Sequence, residues 1–318
     1  MDKQTRLGGH FACVMALAIA GCAANGGLAP SAGSPSLAPA ANALTFGPGW
    51  IQKGGILYHT PRYMPTKSEV LHRVTDSSVV SYGAGTVIVS PRVYLVFWGY
   101  KKYGDPDKVK PLLQNYIENM GGSTHNAIYT QYYQILNGMT TYVRNPKKQY
   151  GGSWNDNDAV PANPSDLQVA NEALKAVTHF GYDPNGSYVI ATPHDHSTSG
   201  FGSNWCGYHS ATQTTAGKLV SYTNLPYMPD GGLNCGSSAA LPPSDETSLD
   251  EGVTIVEGHE EGESVTDPNP PAGWNNAQYG EIGDLCVWQN IANEPFGTYS
   301  YTMQPMFSNA TASCVQTY

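Results

Sequence analysis

The string His259-Glu260-Glu261-Gly262-Glu263 contains ionisable side chains at a spacing that can hold a metal ion. On a helix, His259 and Glu263 project from the same face, one turn apart. In the HExxH motif two histidines at this spacing bind zinc, while the intervening Glu activates a water molecule. Here a Glu takes the second ligand position, which zinc chemistry permits and which also admits Ca²⁺ or Mn²⁺. The string predicts a HExxE metal-binding helix, with Zn²⁺ as the first expectation.

Further carboxylates follow at positions from which they could complete a metal site. Asp267 lies one helical turn beyond Glu263, where it could orient a ligand without binding the metal itself. Glu281 and Asp284 come from a later segment. A helix, a loop and a returning Glu describe the gluzincin arrangement, in which the third ligand arrives from downstream. The alternative interpretation is an acidic helix that is exposed to solvent.

The charge of the chain is distributed unevenly. The formal net charge is -9, and no Lys or Arg follows Lys218, although thirteen carboxylates lie in residues 219–318. Nucleic-acid binding needs clustered Lys and Arg to neutralise phosphates, so DNA and RNA are poor candidate partners. These carboxylates are therefore either solvated at the surface or arranged around a cation that the chain itself does not supply.

The N-terminus has the composition of a bacterial export signal. A short basic start precedes the apolar run 11–20, which is too short to span a bilayer. The run ends at Gly21-Cys22, which resembles the lipobox of bacterial lipoproteins, so Cys22 is predicted to be lipidated. Plain secretion is the alternative, because small residues at this point also fit an ordinary cleavage site.

Three segments follow from this organisation. Residues 1–21 are predicted to be a signal peptide of the lipoprotein type, and residues 22–48 a flexible tether rich in Ala, Gly, Pro and Ser. Residues 49–318 are predicted to form a single domain. We expect an exported protein, either an outer-membrane lipoprotein or a periplasmic or extracellular one, that touches a membrane only through a lipid anchor. The oligomeric state cannot be predicted from the sequence.

Four cysteines remain in the predicted domain. They are Cys206, Cys235, Cys286 and Cys314. An even number of cysteines in an exported domain indicates two disulfides, for which three pairings exist. Sequence order weakly favours Cys206 with Cys235 and Cys286 with Cys314. A zinc ribbon is not supported, because no CxxC pair is present.

Strand and helix signals alternate along the domain. Apolar runs predict strands over 87–89, 93–99, 188–192 and 218–223, and helical spacing predicts helices over 105–121, 126–136, from 163 onward and over 248–266. This alternation predicts a mixed α+β (α/β) layered domain with a mixed sheet and long polar loops.

Several blocks of the sequence resemble one known family. Residues 257–268, Gly273-Trp274 and residues 280–286 resemble the SHELxEAVTDP, GWY and EIGDxC blocks of the exordium (phosphate-induced protein) family and its bacterial relatives. Residues 93–99 look like that family's VNLIWYG strand, and residues 206–209 look like its CGxHG segment. Together the blocks span about residues 90–288. Gly262 departs from the family, which usually has an apolar residue there.

The resemblance implies a fold, an activity and roles for individual residues. Members of the family are exported, and bacterial members are often described as zinc peptidases, whereas plant members are growth-associated apoplastic proteins without an assigned reaction. The implied fold is a zincin-like layered domain that carries the HExxE helix. The implied roles are His259 and Glu263 as ligands, Glu260 as base and Glu281 as third ligand, with Asp284 or Asp267 as the alternative.

The function expected on this basis is metal-assisted hydrolysis of a polypeptide substrate, with zinc endopeptidase as the leading hypothesis. His209 gains from the family match as a group that could bind substrate or stabilise an oxyanion. His194 and His196 follow a predicted strand and could do the same or bind a metal, although histidines in a polar loop are commonly just exposed. The alternative function is a non-catalytic extracellular protein that binds a cation, a carbohydrate or a cell surface.

Overall fold

The computed structural model describes residues 48–70, 79–240 and 245–318. The predicted signal peptide, Cys22 and all of the predicted tether except its last residue lie outside these ranges. Within them, no helix is both long enough and apolar enough to cross a membrane.

The described residues contain many short strands and a few helices. The strands are β1 (Trp50–Lys53), β2 (Ile56–His59), β3 (Arg62–Pro65), β4 (Ser81–Tyr82), β5 (Arg92–Phe97), β6 (Tyr133–Leu136), β7 (Met139–Tyr142), β8 (Tyr150–Trp154), β9 (Gly186–Ala191), β10 (Trp205–Gln213), β11 (Leu219–Leu225), β12 (Trp274–Asn275), β13 (Ala292–Phe296), β14 (Tyr299–Met303), β15 (Met306–Ser308) and β16 (Ser313–Val315). The α-helices are α1 (Tyr100–Tyr103), α2 (Val109–Met120), α3 (Asp166–Phe180), α4 (Met228–Gly231) and α5 (Glu251–Thr266). Short 3-10 turns cover Asn126–Gln131, Gly232–Cys235 and Asp284–Cys286.

One large mixed sheet forms the centre of the fold. Its strand order is β1-β2-β10-β11-β9-β5-β8, and β3 also pairs with β10. Strands β11, β9, β5 and β8 run parallel to one another, whereas β10 joins β11, β2 and β3 in antiparallel pairs. Strand β9 is buried along its whole length and β5 after its first residue, as expected for parallel strands that are covered on both faces. The predicted mixed α+β fold with a large mixed sheet is confirmed.

Helices cover the two faces of the sheet and divide the core. Alternate residues of a strand point to opposite faces, so β5 contributes Val96 to one buried cluster and Leu95 to another. The first cluster contains α3, which begins with a capping box at Ser165. The second contains apolar residues of α2 and α5 together with β14. Helix α5 therefore lies between the sheet and further elements rather than at the surface.

Glycines let other elements approach α5 closely. A Cβ at Gly252 would overlap the Cys235 carbonyl oxygen, and one at Gly258 would come 2.5 Å from Met303 Cε. A Cβ at Gly262 would overlap Met306 Cε and lie 3.0 Å from the Tyr129 ring. Gly262, where the sequence departs from the family blocks, is thus the point at which β15 and Tyr129 pack against the helix.

Most predicted elements are present, and two predictions were wrong. Residues 87–89 are not a strand, because their backbone bonds elsewhere: Ile88 N–H donates to Val265 O (2.9 Å) and Val87 N–H to Gln134 Oε1 (3.0 Å). The helix predicted over 126–136 is only a 3-10 turn, after which β6 begins. Strands β6 and β7 form a hairpin, since Asn137 and Gly138 both take the positive φ that a tight two-residue turn requires.

Two disulfides connect segments that are far apart in the sequence. Cys206 bonds Cys235, and Cys286 bonds Cys314, as sequence order had favoured. The first joins β10 to the turn that packs against the start of α5, and the second joins the turn Asp284–Cys286 to β16. Each closes a loop of close to thirty residues (separations 29 and 28), for which chain entropy predicts roughly 3 to 4 kcal/mol of stabilisation.

Candidate metal centre

All sixteen residues of α5 are buried, including its six ionisable side chains. The alternative of a solvent-exposed acidic helix is therefore wrong for this segment. Buried carboxylates are rare unless they are paired with a positive charge or bind a metal. The carboxylates of α5 therefore need positively charged groups or a metal ion close to them.

Two of the predicted site residues, Glu263 and Asp284, approach the His259 ring. Its Nε2 lies 3.2 Å from Glu263 Oε1 and 3.8 Å from Asp284 Oδ1. One ligand atom from each of these three residues lies within 4.8 Å of the others. This spread is small enough for one cation to bind all three after minor side-chain adjustment.

A second group of three surrounds His209 on β10. Its Nδ1 lies 3.3 Å from Glu260 Oε2 and 3.3 Å from Glu263 Oε2, and its Nε2 lies 3.4 Å from Glu281 Oε1. Glu263 belongs to both groups, so the two groups form one continuous cluster. Glu281, predicted as the third ligand, contacts His209, whereas its alternative Asp284 contacts His259. His209 itself lies inside the cluster and not at its edge.

Backbone and amide groups hold this cluster in place. The N–H groups of Gly283 and Asp284 donate to Glu263 Oε1 at 3.1 and 3.0 Å. The Gln304 amide nitrogen lies 3.0 Å from His259 Nδ1 and donates to Gly283 O at 2.9 Å, so it fixes the ring from behind. A Cβ at Gly283 would come within 2.7 Å of His259 Nδ1, which explains why a glycine stands there.

Opposed charges shift the pKa values of both histidines upward. Burial alone lowers the pKa of His259, but Glu263 outweighs that effect and raises it to about 9. For His209 burial acts in the same direction, and the surrounding carboxylates, Glu281 foremost, raise the pKa well above its usual value. The surrounding carboxylates thus favour the charged form of both imidazoles.

The pKa values of the carboxylates shift in opposite directions, although burial raises all of them. Burial raises the pKa of Glu263, but the charge of His259 and the close approach of both imidazoles lower it far below its usual value. Burial raises the pKa of Asp284 to about 7, with a further contribution from Glu263, and it raises those of Glu260 and Glu281. Glu263 thus favours its ionised form, whereas Glu260, Glu281 and Asp284 keep their protons to higher pH than free carboxyl groups.

Several polar atoms of the cluster lack a hydrogen-bond partner within the described ranges. They are Nε2 of both histidines, Glu260 Oε1, both carboxylate oxygens of Glu281 and Asp267 Oδ2. The two nitrogens and Glu281 Oε1 still lie at ion-pair distance from an opposite charge. An unpaired buried polar group costs about 1 to 3 kcal/mol, so the remaining carboxylate oxygens need a further explanation. Imidazole nitrogens and carboxylate oxygens are the ligands that zinc and manganese accept, so these residues fit a metal ion.

Asp267 is buried beside the cluster, and among the described residues no side-chain hydrogen bond joins it to a predicted ligand. Its Oδ1 accepts a hydrogen bond from the Gly273 N–H at 2.7 Å, and its side chain is fully buried at the C-terminal end of α5. Burial raises its pKa to about 6, although hydrogen bonding to Gly273 and the charges of His209 and Arg62 act in the opposite direction.

His194 and His196 lie in a separate surface group. His194 Nδ1 is 2.5 Å from Asp230 Oδ1, and its Nε2 is 3.3 Å from Asp195 Oδ2. His196 packs its ring against Tyr103 and bonds the His194 carbonyl. In the described part of the chain, no hydrogen bond or ion pair connects either histidine with α5.

Two residues of the site were not found from the sequence. Gln304 lies forty-five residues from His259 and carries no motif, so only the packing of β14 beside α5 reveals it. Arg62 pairs with His209 across β3 and β10, and a strand register of this kind is not readable from one sequence. Gly283, in contrast, lies inside the block 280–286 and could have been singled out there.

Comparisons of this chain with family models, with curated proteins and with solved structures found no match in any of the three. The resemblance to the exordium family therefore stays a prediction from the sequence blocks.

Proposed function

We propose that this protein is a metal-dependent hydrolase, with a zinc endopeptidase as its simplest form. The observation that supports the proposal best is the buried cluster of two histidines with Glu260, Glu263 and Glu281, in which ligand atoms lie unpaired. A cluster of this composition costs free energy in the absence of a cation and gains from binding one. The exported location and the membership of a family of zincin-like peptidases belong to the same proposal.

The residues divide into ligands and supports under this proposal. His259, Glu263 and a carboxylate from the segment 280–284 would hold the ion, with Glu281 as our first choice and Asp284, which contacts His259, as the alternative. His209 is close enough to become a further ligand, because its Nε2 is also unpaired. Zinc bound there would polarise a peptide carbonyl and lower the pKa of a water molecule.

Glu260 has the properties of a general base in this arrangement. Its Oε1 has no hydrogen-bond partner, while its Oε2 lies 3.3 Å from His209 Nδ1. Burial raises its pKa, and a base works best when its pKa lies near the operating pH. Glu260 would take the proton from the attacking water and return it to the leaving amine. His209 would hold the carboxylate in position.

A non-catalytic cation site is the second candidate function. The side chains of His209, His259 and Glu260 are completely buried, and Glu263 and Glu281 are nearly so. Structural metal sites are closed in this way, whereas catalytic sites keep an open position. A structural ion would use Glu260 only for its charge and would cleave no substrate.

The substitution Glu260→Gln separates the two candidates. If Glu260 is the base, the variant should keep its bound zinc while cleavage of an unfolded protein substrate falls at least about 100-fold, because one proton-transfer group is lost. Glu261→Gln is the matched control: its carboxylate is also buried on α5, burial raises its pKa to about 8, and it belongs to neither histidine group. Equal zinc-dependent activity in the wild type and Glu260→Gln would contradict the proposal.

A further inference from the structure

A cavity opens beside the metal-binding cluster. Its volume is about 370 Å³, and Arg62, Asn275, Gln278 and Glu281 are among the residues that line it. Glu281 is itself 2% exposed, its Oε1 lies 3.4 Å from His209 Nε2, and its Oε2 has neither a hydrogen-bond nor an ion-pair partner among the described residues. Whatever enters the cavity from solvent therefore arrives at the carboxylate that we place next to the ion.

Arg62 is an exposed residue that lines this cavity. It lies on β3 directly opposite His209 on β10. Opposite residues of an antiparallel pair project from the same face of the sheet, with Cβ atoms about 5 Å apart. His209 faces α5 and the cluster, so the Arg62 side chain also projects from the face of the sheet that α5 covers. The outer part of its side chain is exposed, which leaves it accessible to a ligand.

Arg62 supplies the positive charge of the cavity lining. Among the described residues that line the cavity it is the only one with a cationic side chain, the others being neutral apart from Glu281. No ion pair or side-chain hydrogen bond joins its guanidinium to another described residue. A guanidinium with unused donors can bind a carboxylate through two parallel, charge-assisted hydrogen bonds. The neutral side-chain amides of Asn275 and Gln278, which also line the cavity, cannot form such a pair.

We propose that Arg62 binds a carboxylate group of the peptide substrate close to the bond that is cleaved. This inference rests on the proposed hydrolase function, to which it adds the substrate class. The carboxylate could be the free C-terminus of a peptide or the side chain of an Asp or Glu residue. Either source offers the same planar anion to the guanidinium, and substrates can be designed to distinguish them.

The test compares matched peptides on the zinc-loaded protein. One set differs only in a C-terminal acid against a C-terminal amide, and a second differs only in an internal Glu against Gln. We expect one of these pairs to show a preference for the acid of about 10- to 100-fold in kcat/KM, the range of a charge-assisted hydrogen-bond pair. In Arg62→Ala the preference should fall to near unity through KM with little change in kcat, and Arg62→Lys should restore part of it.

Arg144→Ala serves as the matched control, because Arg144 is also exposed but does not line the cavity. A binding measurement separates this inference from the function on which it rests. An N-acetyl dipeptide acid and its amide are titrated into zinc-loaded Glu260→Gln protein, where no turnover is needed. Tighter binding of the acid that disappears in Arg62→Ala supports the inference, even where no peptide is cleaved.

Two results would overturn the inference. The first is equal cleavage and equal binding of acids and amides by the wild type, and the second is an acid preference that survives in Arg62→Ala. If cleavage of both peptides persists with such a result, the hydrolase proposal stands and only the role of Arg62 fails. If no zinc-dependent cleavage occurs but Arg62-dependent binding does, the hydrolase proposal fails and the carboxylate site stands.

Discussion

Glu263 lies at the centre of the candidate site because it contacts both histidines. Its Oε1 faces His259 and its Oε2 faces His209, while two backbone N–H groups fix the first oxygen. Such a carboxylate can bind a metal without first losing a proton, because its pKa lies far below neutral. His259 and Asp284 have raised pKa values instead, so each must lose a proton before it binds a metal ion.

Zinc affinity should rise with pH across the neutral range. Metal ligands must be deprotonated, and Glu263 raises the pKa of His259 to about 9, while burial raises that of Asp284 to about 7. Below these values protons compete with zinc, so the apparent Kd should fall about tenfold per pH unit for each proton released. The measurement is a chelator-competition titration at several pH values between about 6 and 9.

Asp284→Asn is the informative variant for that titration. It removes one titrating group, so the slope of log Kd against pH should become shallower near neutral pH. A zinc affinity that does not change with pH in the wild type would contradict the protonation state that the geometry implies.

The glycines of α5 determine how closely other elements can pack against this helix. Gly in a helix costs about 1 kcal/mol relative to Ala, yet α5 contains three. At Gly252 the neighbour is a backbone carbonyl that the Cys206–Cys235 disulfide holds in place. At Gly258 it is the flexible end of Met303, with the Tyr116 hydroxyl 3.0 Å away. Two otherwise similar substitutions should therefore differ in cost.

We expect Gly252→Ala to destabilise the protein by about 2 to 3 kcal/mol, because overpacking against backbone cannot be relieved by a rotamer change. Gly258→Ala is the control, in which the gain in helix propensity offsets most of the smaller clash. Denaturant unfolding of the two variants measures the difference. Equal stabilities would show that the close approach at Gly252 is not required.

The sequence predicted the elements of this fold better than their contacts. Residues 251–266 form the expected helix, and His259 and Glu263 stand one turn apart on it, as their i, i+4 spacing predicts. The strand predicted over 87–89 failed because a run of three apolar residues cannot show whether its backbone bonds to a strand or to a loop. The hairpin at Asn137-Gly138 had a recognisable turn signal, but the apolar pattern before it was interpreted as a helix.

The same limit applies to the site. The HExxE string places His259, Glu260 and Glu263 along one helix, which local spacing predicts. Arg62, His209 and Gln304 reach them through strand register and helix packing, which are long-range properties of the chain. The resemblance of residues 206–209 to a family block indicates a role for His209 in binding substrate, but it does not place His209 beside the HExxE helix. Nothing comparable pointed to Arg62 or Gln304.

The uneven charge of the chain acquires a structural explanation at the scale of the whole molecule. Residues 219–318 contain thirteen carboxylates and no Lys or Arg. Four of the carboxylates, on Glu260, Glu263, Glu281 and Asp284, lie in one cluster with two histidines. The two disulfides hold the segments that supply this cluster, β10 and the turn Asp284–Cys286. A cation bound there would supply the positive charge that this part of the chain lacks.

The most direct test of this account is the zinc content of the purified protein. The protein is dialysed against zinc at about pH 8, freed of excess ion and analysed by elemental mass spectrometry, with His259→Ala treated in parallel. We predict about one zinc ion per wild-type chain, and a marked loss of zinc from the variant. A wild-type protein that is folded and yet retains no zinc, or a variant that retains as much as the wild type, would contradict the central claim.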